Sequence, residues 1–139
     1  MNKRVALGFV LVVAGIGIGV TVDRVAFAQQ AAQPTIKRTV LQKADDPGSS
    51  KYEAVMAIAE IPPGGTSGRH THPGIELAYV LDGSVELQQG TGAAKSYKAG
   101  DFMQNVAVIH NATNTGKKPV KILAVYIVEK GKPMAEPAK

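Results

Sequence analysis

Beyond residue 35 the apolar and polar positions fall into short runs with a period of two, each closed by Gly, Pro, Asp or Asn. Val, Ile, Ala and Tyr dominate these runs, and no window shows the three-to-four-residue spacing of an amphipathic helix. The pattern predicts strands at Ile36–Gln42, Tyr52–Ile61, Ile75–Leu81, Val85–Gln89, Phe102–Asn105, Val106–Asn111 and Val120–Glu129. Turn signals stand at Asp46-Pro47-Gly48, Pro62-Pro63-Gly64-Gly65, Asp82-Gly83, Gly90-Thr91-Gly92, Ala99-Gly100 and Asn114-Thr115-Gly116. Short strands at this spacing describe an all-β sandwich or barrel occupying 36–130. No internal repeat is visible. Residues 131–139, with two prolines and two lysines, are expected to be a loose tail.

Asp82-Gly83 reads as a two-residue hairpin turn. Such a turn sets Val80 against Val85, Ala78 against Leu87 and Glu76 against Gln89, with Ala78, Val80, Val85 and Leu87 on one face. Glu76 lies on the same apolar face. A carboxylate directed into a core is costly unless it is paired or binds a metal, so Glu76 is the first local sign of chemistry.

The N-terminal stretch is of another kind. Met1 to Arg4 is basic, Val5 to Val22 is uncharged and rich in Gly and Val, and Ala26-Phe27-Ala28 follows. This is the pattern of a secretory signal cleaved after Ala28. The alternative is an uncleaved membrane anchor, since the run approaches the length that spans a bilayer; only in that case would the protein associate with a membrane. Either way the domain is expected in the periplasm or secreted, with 29–35 as a disordered linker. Removing 1–28 takes Lys3, Arg4, Asp23 and Arg24 with it and lowers the formal charge from +5 to +3. The basic pI of about 9.5 therefore says little. The lysines are scattered and Trp is absent, which argues against a nucleic-acid partner. With no cysteine, disulfides, thiolate metal sites and cysteine nucleophiles are excluded.

What remains is nitrogen and oxygen chemistry. The chain has three histidines. His70 and His72, two apart on an extended segment, would lie on one face roughly 7 Å apart at the backbone, able to converge on one ion. Glu76 follows beyond Pro73-Gly74, and His110 lies far along the chain. Three imidazoles and a carboxylate form a donor set suited to Fe, Mn, Ni, Zn or Cu.

At this point the sequence resembles the cupins. Gly64, five residues, His70, one, His72, three, Glu76, six, Gly83 reproduces the first cupin motif. Gly100 and Asp101 open the second motif, and His110 and Asn114 close it. Between them the segment is one residue short, and Asn105 and Ala107 stand where the motif has Pro and Gly. The resemblance implies a single small jelly-roll β-barrel. It implies that His70, His72, Glu76 and His110 point inward to hold one divalent transition metal, and that the chain forms a homodimer. Cupin activities are diverse, so the fold does not fix the reaction.

The remaining candidates are fewer. Ala78, Val80 and Gln104 are expected to line the pocket, Gln104 because its even spacing from His110 gives it the same face on a regular strand. Tyr79 is out of phase with Glu76 and should face away, for packing or a dimer contact; Tyr97 and Tyr126 are open as pocket residues. Asn114 reads as a turn residue. For Glu76 the competing role is a salt bridge to Arg69, and its chemical role would be that of ligand and proton acceptor. Two functions fit: a metal-dependent enzyme with dioxygenase-like or other metal-assisted chemistry on a small molecule, or a non-catalytic module that captures a metal or small ligand. No separate acid–base residue is evident from the sequence.

Overall fold

The computed structural model describes residues 35–139; the expected export signal 1–28 and most of the expected linker 29–35 lie outside the described residues. The chain forms β1 (Lys37–Asp45), β2 (Tyr52–Ile61), β3 (His70–Thr71), β4 (Gly74–Asp82), β5 (Ser84–Gln89), β6 (Lys95–Lys98), β7 (Phe102–Val106), β8 (His110–Thr113), β9 (Val120–Glu129) and β10 (Glu136–Pro137), with no helix among the described residues. Two antiparallel five-stranded sheets result, in the orders β1-β2-β9-β4-β7 and β10-β3-β8-β5-β6. This is the expected all-β jelly roll.

The two longest strands show how the pattern becomes structure. In β2, Val55, Ala57, Ala59 and Ile61 are buried, and in β9, Val120, Ile122, Ala124, Tyr126 and Val128. Each is every second residue, so one face of each strand enters the space between the sheets. The two strands pair along their whole length, from Tyr52 with Glu129 to Ile61 with Val120. Val80, Val85, Leu87, Met103 and Ala112 complete the core. Burying each Val or Leu contributes about 1.5–3 kcal/mol.

The expected hairpin is absent. β4 pairs with β9 on one side and β7 on the other, whereas β5 pairs with β6 and β8, so the chain passes from one sheet to the other at Asp82-Gly83. A dipeptide turn signal shows where the chain reverses but not which edges the flanking strands will find. Gly83 is required there: its φ is +79°, and a Cβ would stand 2.9 Å from the Pro119 carbonyl oxygen. The inward set Glu76, Ala78, Val80, Val85 and Leu87 is nevertheless buried. Alternation is local to each strand, and both strands look into the same core.

Two further expectations change. The strand expected at Val106–Asn111 is divided: β7 ends at Val106, Ala107 takes φ +48°, and β8 begins at His110 in the other sheet. The tail 131–139 is not loose. It turns at Gly131, with φ +79°, and adds β10 to the edge of β3. A two-residue strand containing Pro137 carries too little pattern to be read from sequence. The Lys-rich edge strand β6 was hidden for a related reason, since charge at a sheet edge guards against unwanted pairing and looks like loop.

Candidate metal centre

Strand register builds the site in two facing rows. Across the first sheet, Tyr126 of β9, Glu76 of β4 and Asn105 of β7 stand side by side. Across the second, Pro137 of β10, His70 of β3, His110 of β8 and Gln89 of β5 do the same. His72 follows β3 directly. All three histidines and Glu76 are buried. The imidazole centroids are 4.9 Å (His70–His72), 4.3 Å (His70–His110) and 5.1 Å (His72–His110) apart. Ligand atoms of the three rings lie within 4.8 Å of one another, which makes them a metal-ligand cluster.

The hydrogen bonds orient all three rings alike. His70 Nδ1 meets the Gly68 carbonyl at 2.8 Å, His110 Nδ1 meets the Val108 carbonyl at 2.9 Å, and His72 Nδ1 meets the Met134 carbonyl. A carbonyl only accepts, so each Nδ1 carries a proton, and a ring in its neutral form presents an Nε2 lone pair. Glu76 Oε2 lies 3.3 Å from His72 Nε2 and 3.4 Å from His110 Nε2. His72 Nε2 is buried without a hydrogen-bond partner. Lone pairs directed at a carboxylate oxygen in a buried site require a proton or a cation among them. The donor set therefore fits a divalent transition metal.

Charge follows the same logic. Burial opposes ionisation of Glu76, but the His110 and His72 rings and the Asn105 amide outweigh it and hold the carboxyl well below its usual range. Asn105 Nδ2 donates to Glu76 Oε2 at 2.6 Å, and Asn105 Oδ1 accepts from Gln89 Nε2 at 2.7 Å. Burial pushes the His70 pKa down to about 4, keeping the ring neutral.

Arg38 was not foreseen, and Tyr126 was open as a pocket residue. Arg38 of β1 reaches the site, with Nη2 3.2 Å from His70 Nε2 and its buried Nε without a partner. Tyr126 packs its ring 5.0 Å from that of His72, and its hydroxyl is likewise buried and unpartnered. Burial and the Glu76 charge push its pKa up, so it is a neutral phenol. The phase of Tyr126 within β9 was a usable signal; for Arg38, on an exposed edge strand, there was none beyond alternation with Ile36.

Other expectations sort as follows. Ala78 lines the cavity, whereas Val80 lies fully buried in the core outside its wall. Gln104 does not enter the pocket. It is exposed, and Met103 and Asn105 on either side of it are the inward residues. The left-handed turn at Ala107 shifts the phase between β7 and β8, so counting by twos from His110 selects the wrong face. Arg69 is exposed and not paired with Glu76. Asn114 is a turn residue: its amide donates to the Ile61 and Lys118 carbonyls while its oxygen accepts from Gly116 N–H. Tyr79 faces outward, 47% exposed.

The family profile described as "Cupin domain" matches residues 57–126, half of the chain. No curated protein matches the sequence. Solved structures do. A Klebsiella pneumoniae conserved protein with a double-stranded beta-helix domain is 24% identical, covering 78% of this chain and 91% of its own, with a TM-score of 0.62. A cupin-like protein from Thermotoga maritima is 19% identical over 76% of this chain and 77% of its own, with a TM-score of 0.61. A "predicted oxalate decarboxylase" from the same organism is 28% identical over 68% of this chain and 80% of its own, with a TM-score of 0.55.

Proposed function

The chain belongs to the cupin family, and from that premise we propose that it is an exported cupin that holds one divalent metal and acts on a small carboxylic acid. The observation that carries this reading is the cluster of the three imidazoles, with the His72 and His110 Nε2 atoms facing the Glu76 carboxylate. These four side chains would be the ligands. A bound metal would supply Lewis-acid polarisation of a substrate oxygen.

Charge balance argues for an anionic substrate. A divalent ion, the Glu76 carboxylate and the Arg38 guanidinium together leave two positive charges in excess in a buried site. An isolated charge there is costly, and a carboxylate or dicarboxylate compensates it. Arg38 offers a planar donor set matched to a carboxylate, and its unpartnered Nε is available for it. Tyr126 supplies a neutral O–H that can donate a hydrogen bond or a proton. The cavity has a volume of about 30 Å³, space on the scale of a few atoms, and Arg38 is part of its wall. The 28% identity to a structure described as a predicted oxalate decarboxylase supports the same substrate class.

Export rests on the basic start, apolar run and Ala26-Phe27-Ala28 of the sequence. A second copy of the chain would cover the outer face of the first sheet, where Leu77, Tyr79, Phe102 and Ile127 are exposed.

The test is elemental analysis of the mature protein, followed by incubation with two- to four-carbon carboxylic acids, oxalate first, with and without O2. Stoichiometric metal that is lost in His70→Ala, together with acid consumption that is lost in Arg38→Met, is the expected result. A metal-free wild type refutes the site. A metal-loaded protein that binds these acids and turns over none is the non-catalytic module. One that neither binds nor consumes them refutes the substrate class.

A further inference from the structure

The three histidines owe their orientation to different parts of the chain. His70 and His110 each use the carbonyl two residues earlier, so their rings are set by the segments that carry them. His72 has no such local partner. Its Nδ1 hydrogen-bonds to the carbonyl of Met134, 62 residues further along the chain. That carbonyl belongs to the segment after β9, and several contacts hold the segment in place. Lys132 N–H donates to the Glu129 carbonyl at 3.1 Å and Gly131 makes the turn. The partly buried Met134 side chain packs against the core. Glu136 and Pro137 pair with Thr71 and His70, and Ala138 N–H donates to the Arg69 carbonyl at 3.0 Å.

β3 needs this neighbour. It is two residues long, and its other pairing is the single position His70 with His110. The strand that carries His70 and leads into His72 therefore has the C-terminal segment as its second flank. Removing that segment would free the His72 ring to rotate and to exchange its tautomer, while the carbonyls serving His70 and His110 would remain.

We propose that residues 131–138 form a strap in which the Met134 carbonyl fixes the tautomer and orientation of His72, so that full metal affinity requires the C-terminus of the chain. This rests on the reading of His72 as a metal ligand. Partners of this kind behind a ligating histidine are typically worth 10–100-fold in metal affinity.

The experiment compares three mature proteins: the full chain, a chain ending at Lys132, and the full-length Ala138→Pro variant, which deletes the N–H that ties the strap to Arg69. Each is titrated with cobalt(II), and 15N shifts of the imidazoles are recorded without metal. Truncation should weaken cobalt binding about 10–100-fold, and Ala138→Pro should weaken it in the same direction by less. His72 alone should lose the fixed Nδ1–H signature, with His70 and His110 retaining theirs. A folded truncated chain that binds cobalt within twofold of the full chain, or that loosens all three imidazoles together, overturns the proposal. If the truncated chain does not fold, Ala138→Pro decides, and unchanged affinity with an unchanged His72 tautomer overturns it. A full chain that binds no cobalt refutes the metal reading instead, and the His72 signature then tests the strap by itself.

Discussion

Replacing Asn105 by Leu should separate the contribution of one hydrogen bond from that of the pocket's shape. The Asn105 amide is 3% exposed and donates to the Glu76 carboxylate at 2.6 Å. Leu has the same number and branching of side-chain heavy atoms and leaves no cavity, so the main loss is a bond to a charged acceptor, worth about 1.5–3 kcal/mol. Gln89 loses one acceptor but keeps the Gln104 carbonyl at 2.8 Å, so the far end of the relay stays satisfied. The expected destabilisation of the metal-free protein at pH 7 is about 2 kcal/mol, with a rise in the Glu76 pKa.

The sign of the pH dependence makes this specific. Glu76 ionises more readily folded than unfolded, so its contribution is present above the usual carboxyl pKa and is lost as the pH falls through the depressed folded value. Removing a donor to the carboxylate weakens that contribution. The difference between wild type and Asn105→Leu should therefore be largest near neutrality and shrink towards pH 4 and below. Urea unfolding in EDTA at several pH values measures it. A difference below about 0.5 kcal/mol at pH 7, or one that does not change with pH, would refute the assignment of Asn105 as the donor that holds Glu76 charged.

Three other outcomes are expected. Ala107 sits at φ +48°, where a left-handed residue with a Cβ costs about 1–2 kcal/mol. Ala107→Gly should leave stability unchanged or raise it by about 1 kcal/mol in urea unfolding, since glycine's greater unfolded-state entropy offsets part of the gain; a loss above 1 kcal/mol would count against the strain. His70 is neutral in the folded state with a pKa near 4, below its unfolded value. Its contribution to metal-free stability is full above pH 6.5 and declines by about 3 kcal/mol as the pH falls to 4. In EDTA, His70→Gln should flatten that part of the curve, and a variant with the wild-type slope would contradict the shift. Phe102, 79% exposed on the edge strand β7 of the apolar outer face, should govern self-association. By light scattering the wild type should elute as a dimer and Phe102→Lys as a monomer; a monomeric wild type removes that face as a dimer surface.

The features legible in the sequence are those decided within one strand. Alternation marked Tyr52–Ile61 and Val120–Glu129 as strands because burial of every second residue needs no knowledge of the neighbouring strand. The same local reasoning separated Glu76 from the outward Tyr79, although β4 and β5 lie in different sheets and not in one hairpin. Features that depend on which strands meet were hidden. Tyr126 and Asn105 become neighbours of Glu76 only through the pairing of β4 with both β9 and β7, and Arg38 arrives from the edge strand. The Met134 carbonyl is a backbone group, on which sequence is silent.

The assignment of Gln104 failed at the point where the second motif departs from the cupin pattern, and that departure has a physical content. Ala107, where the motif has glycine, still takes the left-handed conformation that glycine would supply cheaply. The phase shift it imposes turns Asn105, rather than Gln104, into the cavity. Asn105 in turn stands where the motif has proline, a residue with no side-chain donor to offer. The substitution at one position thus provides a hydrogen-bond donor to Glu76, and the strained backbone at the other accompanies the phase that points it there. The two departures act as one device. Changing Asn105 to proline would remove the donor from the Glu76 carboxylate.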